Sequence, residues 1–234
     1  MSRFPVAVLA GGLATRLGPL SRETPKCLME VAGRPFIDHQ LRLLQGQGVR
    51  RVVLCVGHLG EKIVDAVGDG ARHGLEVAYS FDGPELRGTA GALQRALPLL
   101  GETFFVLYGD SYLECSYEAV QDAFEGAGKR ALMTVFRNEG RWDTSNVEFR
   151  EGTLLAYDKV HRTDRMCYID YGLGVFDRRA FDVVPRDGAF DLAAVYQEML
   201  RRDQLAGFEV TRRFYEIGSV GGLEETRRHL ADRP

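Results

Sequence analysis

The chain has 234 residues, 45% of them hydrophobic, which is enough to bury a full α/β core. Its 30 basic and 33 acidic side chains give a formal charge of -3 with no basic block, which excludes a surface that tracks a nucleic-acid backbone. No apolar run reaches the ~20 residues that span a bilayer, and Met1 to Leu9 is too short for a signal peptide's apolar region. The expectation is a cytoplasmic protein with neither nucleic acid nor membrane as partner.

Short β-rich runs alternate with helical patterns through the first half. Val6 to Ala10 reads as a strand, Pro35 to Gln45 as a helix, Arg51 to Val56 as a strand and Glu61 to Val67 as a helix. Leu75 to Ser80, Ala90 to Leu97 and Phe104 to Tyr108 continue as strand, helix and strand. Such alternation implies a largely parallel sheet, and unbroken apolar runs such as Val6-Ala7-Val8-Leu9 belong at its doubly covered centre. After Asp110 the pattern becomes mixed: a helix at Tyr117 to Phe124, then strands near Ala131 to Phe136, Asn146 to Phe149, Leu154 to Tyr157 and Ile169 to Phe176. Helices return at Asp191 to Arg201 and Val220 to Leu230, the latter after a strand-like Arg213 to Ile217. No repeat, linker or low-complexity tract divides the chain, so a single domain over residues 1–234 is expected. Ligands of such sheets sit beyond the carboxyl ends of the strands, which directs attention to the loops after Ala10, Tyr108 and Tyr215.

Cys27, Cys55, Cys115 and Cys167 form no C-x-x-C pair and read as reduced packing residues. The five histidines have no metal-site spacing and receive no catalytic role. Trp142, the single tryptophan, reads as packing against the sheet edge in preference to stacking on a sugar.

The strongest motif is Leu9-Ala10-Gly11-Gly12-Leu13-Ala14-Thr15-Arg16-Leu17-Gly18, followed by Thr24-Pro25-Lys26. Glycines after a buried strand let backbone N–H groups approach phosphate oxygens, Arg16 offers a planar fork for two oxygens, and Lys26 adds a mobile point charge. Gly11-Gly12 alone would equally describe an ordinary strand-to-loop turn. No Lys-Ser/Thr closes the loop as in a P-loop and no G-x-G-x-x-G follows the strand, which disfavours a P-loop ATPase or a dehydrogenase.

The segment from Leu9 to Pro35 resembles the signature of the sugar-1-phosphate nucleotidyltransferases. The resemblance continues in order through Gly88-Thr89-Ala90-Gly91-Ala92, Gly109-Asp110-Ser111, Tyr157-Asp158-Lys159 and Tyr215-Glu216-Ile217-Gly218. It implies a three-layer α/β/α, Rossmann-like sheet of the GT-A-like kind, with a nucleotide-binding half at residues 1–110 and an acceptor-binding half at 111–234. By that resemblance Leu9, Ala10, Gly11, Gly12, Gly88 and Thr89 hold a nucleoside triphosphate, while Arg16, Lys26 and Asp110 are catalytic. Asp110 and Glu216 would hold Mg²⁺, Glu216 standing where the family commonly has aspartate. The phosphorylated acceptor would meet Asn146, Asp158, Lys159, Asp170 and Gly172, with Asp158 and Asp170 replacing the commoner glutamate and asparagine. Homodimerisation is a further family-level expectation. Resemblance to the short single-domain members of the family implies a mild preference for guanylyl transfer to a heptose or related hexose phosphate, and Glu85, just before Arg87-Gly88, could accept from guanine or cytosine N–H donors. Competing readings are a phosphocholine-type cytidylyltransferase, which would need an aromatic cage, a non-catalytic nucleotide-sugar regulator, and a glycosyltransferase, which would normally carry D-x-D where this chain has Asp110-Ser111-Tyr112.

Overall fold

The computed structural model describes residues 3–12, 23–185 and 188–231. In chain order the elements are β1 (Val6–Leu9), the β2 (Glu30–Val31) and β3 (Arg34–Pro35) hairpin, α1 (Phe36–Gly46), β4 (Arg51–Val56), α2 (Gly60–Val67), β5 (Glu76–Phe81), α3 (Gly88–Leu100), β6 (Thr103–Tyr108) and β7 (Ser111–Tyr112). Then come α4 (Tyr117–Ala127), β8 (Ala131–Arg137), β9 (Val147–Arg150), β10 (Thr153–Tyr157), β11 (Tyr168–Asp177), α5 (Leu192–Arg201), β12 (Leu205–Val210), β13 (Tyr215–Glu216) and α6 (Val220–Ala231). The expected elements all occur; β12 is an addition, and the Arg213 to Ile217 strand is only two residues long.

β5, β4, β1 and β6 run parallel, and β11 joins antiparallel to β6, so both halves of the chain share one nine-stranded sheet. The register Leu9↔Tyr108 brings the carboxyl ends of β1 and β6 side by side. Because successive strand residues face opposite ways, Val6 and Val8 pack under α1, α2 and α4, while Ala7 packs under α3 and α5. This is the three-layer α/β/α arrangement expected from the doubly apolar runs. Ser116 and Asp191 fix two helix starts, their side chains accepting from Ala119 N at 3.1 Å and Ala193 N at 2.7 Å.

The pairing of β11 with β8 slips between Asp170 and Gly174. The bulge turns Gly172, at φ +98°, towards Tyr108 and Ser111, and the buried Thr134 hydroxyl satisfies Leu173 O at 2.5 Å. A smaller cluster of Met29, Val31, Phe36, Tyr112, Ile217, Leu223 and Leu230 seats α6 beside the β2–β3 hairpin, which places β13 against β7. Among the described residues no helix is long and apolar enough to cross a membrane.

Candidate active site

A cleft opens where β1 and β6 end. Its walls are Leu9 to Gly12, Lys26, Asp82, Leu86, Gly88, Thr89, Ala92, Tyr108 and Asp110, with Cys27 and Cys55 in its floor. Of the residues expected on the nucleotide side, Glu85 alone stays outside: it is exposed, in the loop after β5. Asp82, one residue past the end of β5, takes the acidic place in the cleft instead. It is 6% exposed, and burial raises its carboxyl above the ordinary range. Arg16 falls outside the described residues.

Two of the expected glycines also lie against the protein's own backbone. The missing Cβ of Gly88 would stand 2.6 Å from Phe190 O, and that of Gly11 3.0 Å from Gly57 N. Both therefore permit close backbone packing inside the protein, while a Cβ at Gly12 would meet nothing within 4 Å among the described residues. At Gly88 the contact is a clamp: Ala90 N donates to Phe190 O at 2.9 Å, Phe190 N to Arg87 O at 2.8 Å and Leu192 N to the Thr89 hydroxyl at 2.7 Å.

At the other end of the cleft three charged side chains converge. Lys26 Nζ lies 2.9 Å from Asp110 Oδ2, both side chains mostly buried. Asp110 is carried by the turn between β6 and β7, tied by Gly109 N to Leu9 O and by Ile217 N to Asp110 O, both at 2.9 Å. Glu216 ends β13; its carboxylate accepts from Ser219 Oγ at 2.6 Å and from Gly218 N, both in the bend that precedes α6. All three surround Gly218: a Cβ there would lie 2.6 Å from Glu216 Oε2, 3.1 Å from Asp110 Oδ2 and 3.6 Å from Lys26 Nζ. Among the described residues no group of three or more His, Cys, Asp or Glu forms a metal cage. Two hard carboxylates over a bare glycine fit Mg²⁺, which takes one or two protein carboxylates and completes its shell with phosphate oxygens and water. Burial pushes the Cys27 and Cys55 thiols up to about 12, so neither supplies a thiolate near neutral pH.

Tyr108 separates this cleft from the residues expected to meet the acceptor. Lys159 Nζ stands 5.9 Å over its ring, and a Cβ at Gly172 would lie 3.7 Å from it. Asn146 Oδ1 accepts from Asp170 N at 3.0 Å, and Asp170 accepts from Gly172 N at 3.1 Å and from the Tyr157 hydroxyl at 3.4 Å. Burial raises the Asp170 carboxyl, with Lys159 opposing. Asp158 points into its own turn, accepting from Val160 N at 2.7 Å and His161 N at 2.9 Å, and those bonds hold its carboxyl below the ordinary range. The structure thus brings Asn146, Lys159, Asp170 and Gly172 together, and spends the Asp158 side chain on loop shape. Trp142 is 44% exposed, and the Arg213 guanidinium lies 3.5 Å over its ring and 4.5 Å over that of Tyr215.

A glycine loop after a buried parallel strand, with a lysine and two carboxylates beside it, defines an enzyme that moves phosphoryl-linked groups. The family profile described as nucleotidyl transferase matches residues 6–145, and the chain belongs to that family. Among curated relatives, it is 29% identical to the N-acetylmuramate alpha-1-phosphate uridylyltransferase of Neisseria meningitidis, over 94% of this chain and 95% of that one. It is 34% identical to the mannose-1-phosphate guanylyltransferase catalytic subunit beta of Drosophila pseudoobscura over 90% of this chain, and spans 58% of that protein's length. Among solved structures, a putative glucose-1-phosphate thymidylyltransferase from Bacillus anthracis superposes with a TM-score of 0.87 at 20% identity, over 98% of this chain and 96% of that one. HddC from Yersinia pseudotuberculosis, complexed with GMP-PN, superposes with a TM-score of 0.78 at 20% identity, over 97% of this chain and 99% of that one. These last two likenesses establish the fold.

Proposed function

We propose that this protein joins a nucleoside monophosphate, taken from a nucleoside triphosphate, to a sugar 1-phosphate with release of pyrophosphate, and that the nucleotide is guanosine and the sugar a heptose or related hexose. The observation that carries the reaction is the convergence of Lys26, Asp110 and Glu216 over Gly218 at one end of the cleft.

An acceptor phosphate oxygen attacks the α-phosphorus in line as pyrophosphate leaves. A phosphate monoester has a second pKa of about 6, so the nucleophile is already ionised and no general base is needed. The difficulty is that two anions must meet: unit charges at ~4 Å repel by roughly 4 kcal/mol at an effective dielectric of about 20. Lys26 offsets that repulsion at the α-phosphoryl, and Arg16 in the glycine loop is assigned to the leaving phosphates. Asp110 and Glu216 hold Mg²⁺, which when bound neutralises phosphate charge. Glu216→Gln is expected to weaken Mn²⁺ binding, followed by calorimetry, by about 10–100-fold, and an unchanged isotherm would remove Glu216 from the site.

Guanine is favoured by Asp82. A carboxylate can take two adjacent N–H donors, and the Watson–Crick edge of guanine offers N1–H beside its amino group, whereas that of uracil or thymine offers one N–H between two carbonyls. The phosphocholine reading loses support because Trp142 and Tyr215 share the protein's own Arg213 as their cation.

Pyrophosphate release in the presence of Mg²⁺, over the common nucleoside triphosphates against sugar 1-phosphates and phosphocholine, tests the proposal. Release with GTP and a sugar 1-phosphate is the expected result. Release with another nucleotide alone would overturn the base assignment, and silence with nucleotide binding intact would overturn catalysis in favour of a regulatory nucleotide-sugar binder.

A further inference from the structure

Helix α1 turns Phe36, Ile37, Leu41 and Leu44 into the core, and Gln40 stands fully buried on the same face. Packing alone would favour leucine there, since a buried amide must find partners for its two N–H bonds and its oxygen. Gln40 finds them for the donors only. Its Nε2 donates to Tyr108 O at 2.8 Å and to Ser111 O at 2.7 Å, while Oε1 is buried without a hydrogen bond among the described residues. An unsatisfied oxygen in a core costs stability, so the position is explained by what the two donors hold.

Those two carbonyls belong to the last residue of β6 and the first of β7, and between them lie Gly109 and Asp110. The amide closes the base of the turn that carries Asp110. With Gly109 N on Leu9 O and Ile217 N on Asp110 O, the turn is tied to α1, β1 and the end of β13 at once. Without Gln40, two partly buried carbonyls would lose these donors and turn towards other partners, carrying the Asp110 carboxylate with them.

We propose that Gln40 is a positioning residue, which sets the Asp110 carboxylate opposite Glu216 and thereby the affinity of the site for divalent metal. This rests on the assignment of Asp110 and Glu216 to the metal.

The test is Mn²⁺ titration followed by electron paramagnetic resonance, with a non-hydrolysable GTP analogue present, on the wild type, Gln40→Met, Gln40→Asn and Leu41→Ala. Thermal unfolding is measured alongside. Leu41→Ala opens the same helix face without touching the turn. Gln40→Met is expected to weaken Mn²⁺ binding about tenfold and Gln40→Asn by less, while Leu41→Ala lowers Tm at least as far and leaves Mn²⁺ binding within about twofold of wild type. Should Gln40→Met not fold, weakened binding in Gln40→Asn carries the same meaning. Wild-type affinity in a folded Gln40 variant, or equal loss in Leu41→Ala, would overturn the positioning role. Absence of Mn²⁺ binding in the wild type would overturn the metal assignment itself.

Discussion

Lys26→Ala is expected to lower turnover about 10²–10³-fold, the loss typical of removing one preorganised charge-stabilising donor. The fall should appear in kcat more than in KM for the nucleotide, because the α-phosphoryl gains its extra charge only as the transition state forms. A second readout follows from the resting geometry. Lys26 Nζ occupies Asp110 Oδ2 at 2.9 Å, so the alanine variant leaves that oxygen without its cation. Divalent metal should then bind the nucleotide-free protein at least as tightly as before, even as turnover collapses. Steady-state kinetics and metal calorimetry on one preparation measure both effects. Turnover within about threefold of wild type in a folded protein would remove Lys26 from the chemistry, because a loss that small is under 1 kcal/mol. Lys26→Arg is not expected to rescue, since a planar fork cannot occupy the place of a compact ammonium between Asp110 and the α-phosphoryl.

The fold is largely legible in the sequence because its signals there are redundant: doubly apolar β1 and β6 and the helical patterns that alternate with the strands point the same way. Legibility ends where one residue answers to a neighbour far along the chain. β12 is hidden in the sequence because Gly207 breaks its apolar run, yet a Cβ at Gly207 would meet the Phe149 ring at 2.6 Å, a contact no local pattern encodes. Gln40 reads as an ordinary helical polar residue until the 2.7 Å bond to Ser111 O, 71 residues away, is seen. Glu85 and Asp82 illustrate the same limit within four residues. Both are acids before Gly88, and choosing between them requires the end of β5 at Phe81, which aims Asp82 into the cleft and leaves Glu85 in the exposed turn. Asp158 matched the resemblance by position, while its side chain closes a turn on Val160 and His161.

Asp82→Asn should reverse the base preference and stabilise the protein in the same step. Breaking a buried, charge-assisted pair costs about 2–5 kcal/mol, so kcat/KM with GTP should fall by at least ~30-fold and by up to about 5×10³-fold. UTP should gain, because an amide can both donate to and accept from the uracil edge. The stability change follows from the raised carboxyl. Burial penalises the charged form in the folded state, so above the folded pKa the ionised Asp82 opposes folding, and below the unfolded value near 3.8 it contributes nothing. The asparagine variant should therefore have the higher Tm at neutral pH, with the difference shrinking as pH falls through the interval between those two values. Among the described residues Asp82 accepts one long hydrogen bond, from Arg87 N at 3.4 Å, and burial outweighs that bond and the nearby charges of Arg87 and Arg95. A cleft-lining residue that costs stability while it waits has the properties of a ligand reader whose partner arrives with the substrate. Thermal unfolding from pH 4 to 8, set beside the nucleotide preference of each protein, decides the point: a preference for GTP that survives the substitution would move base recognition elsewhere in the cleft.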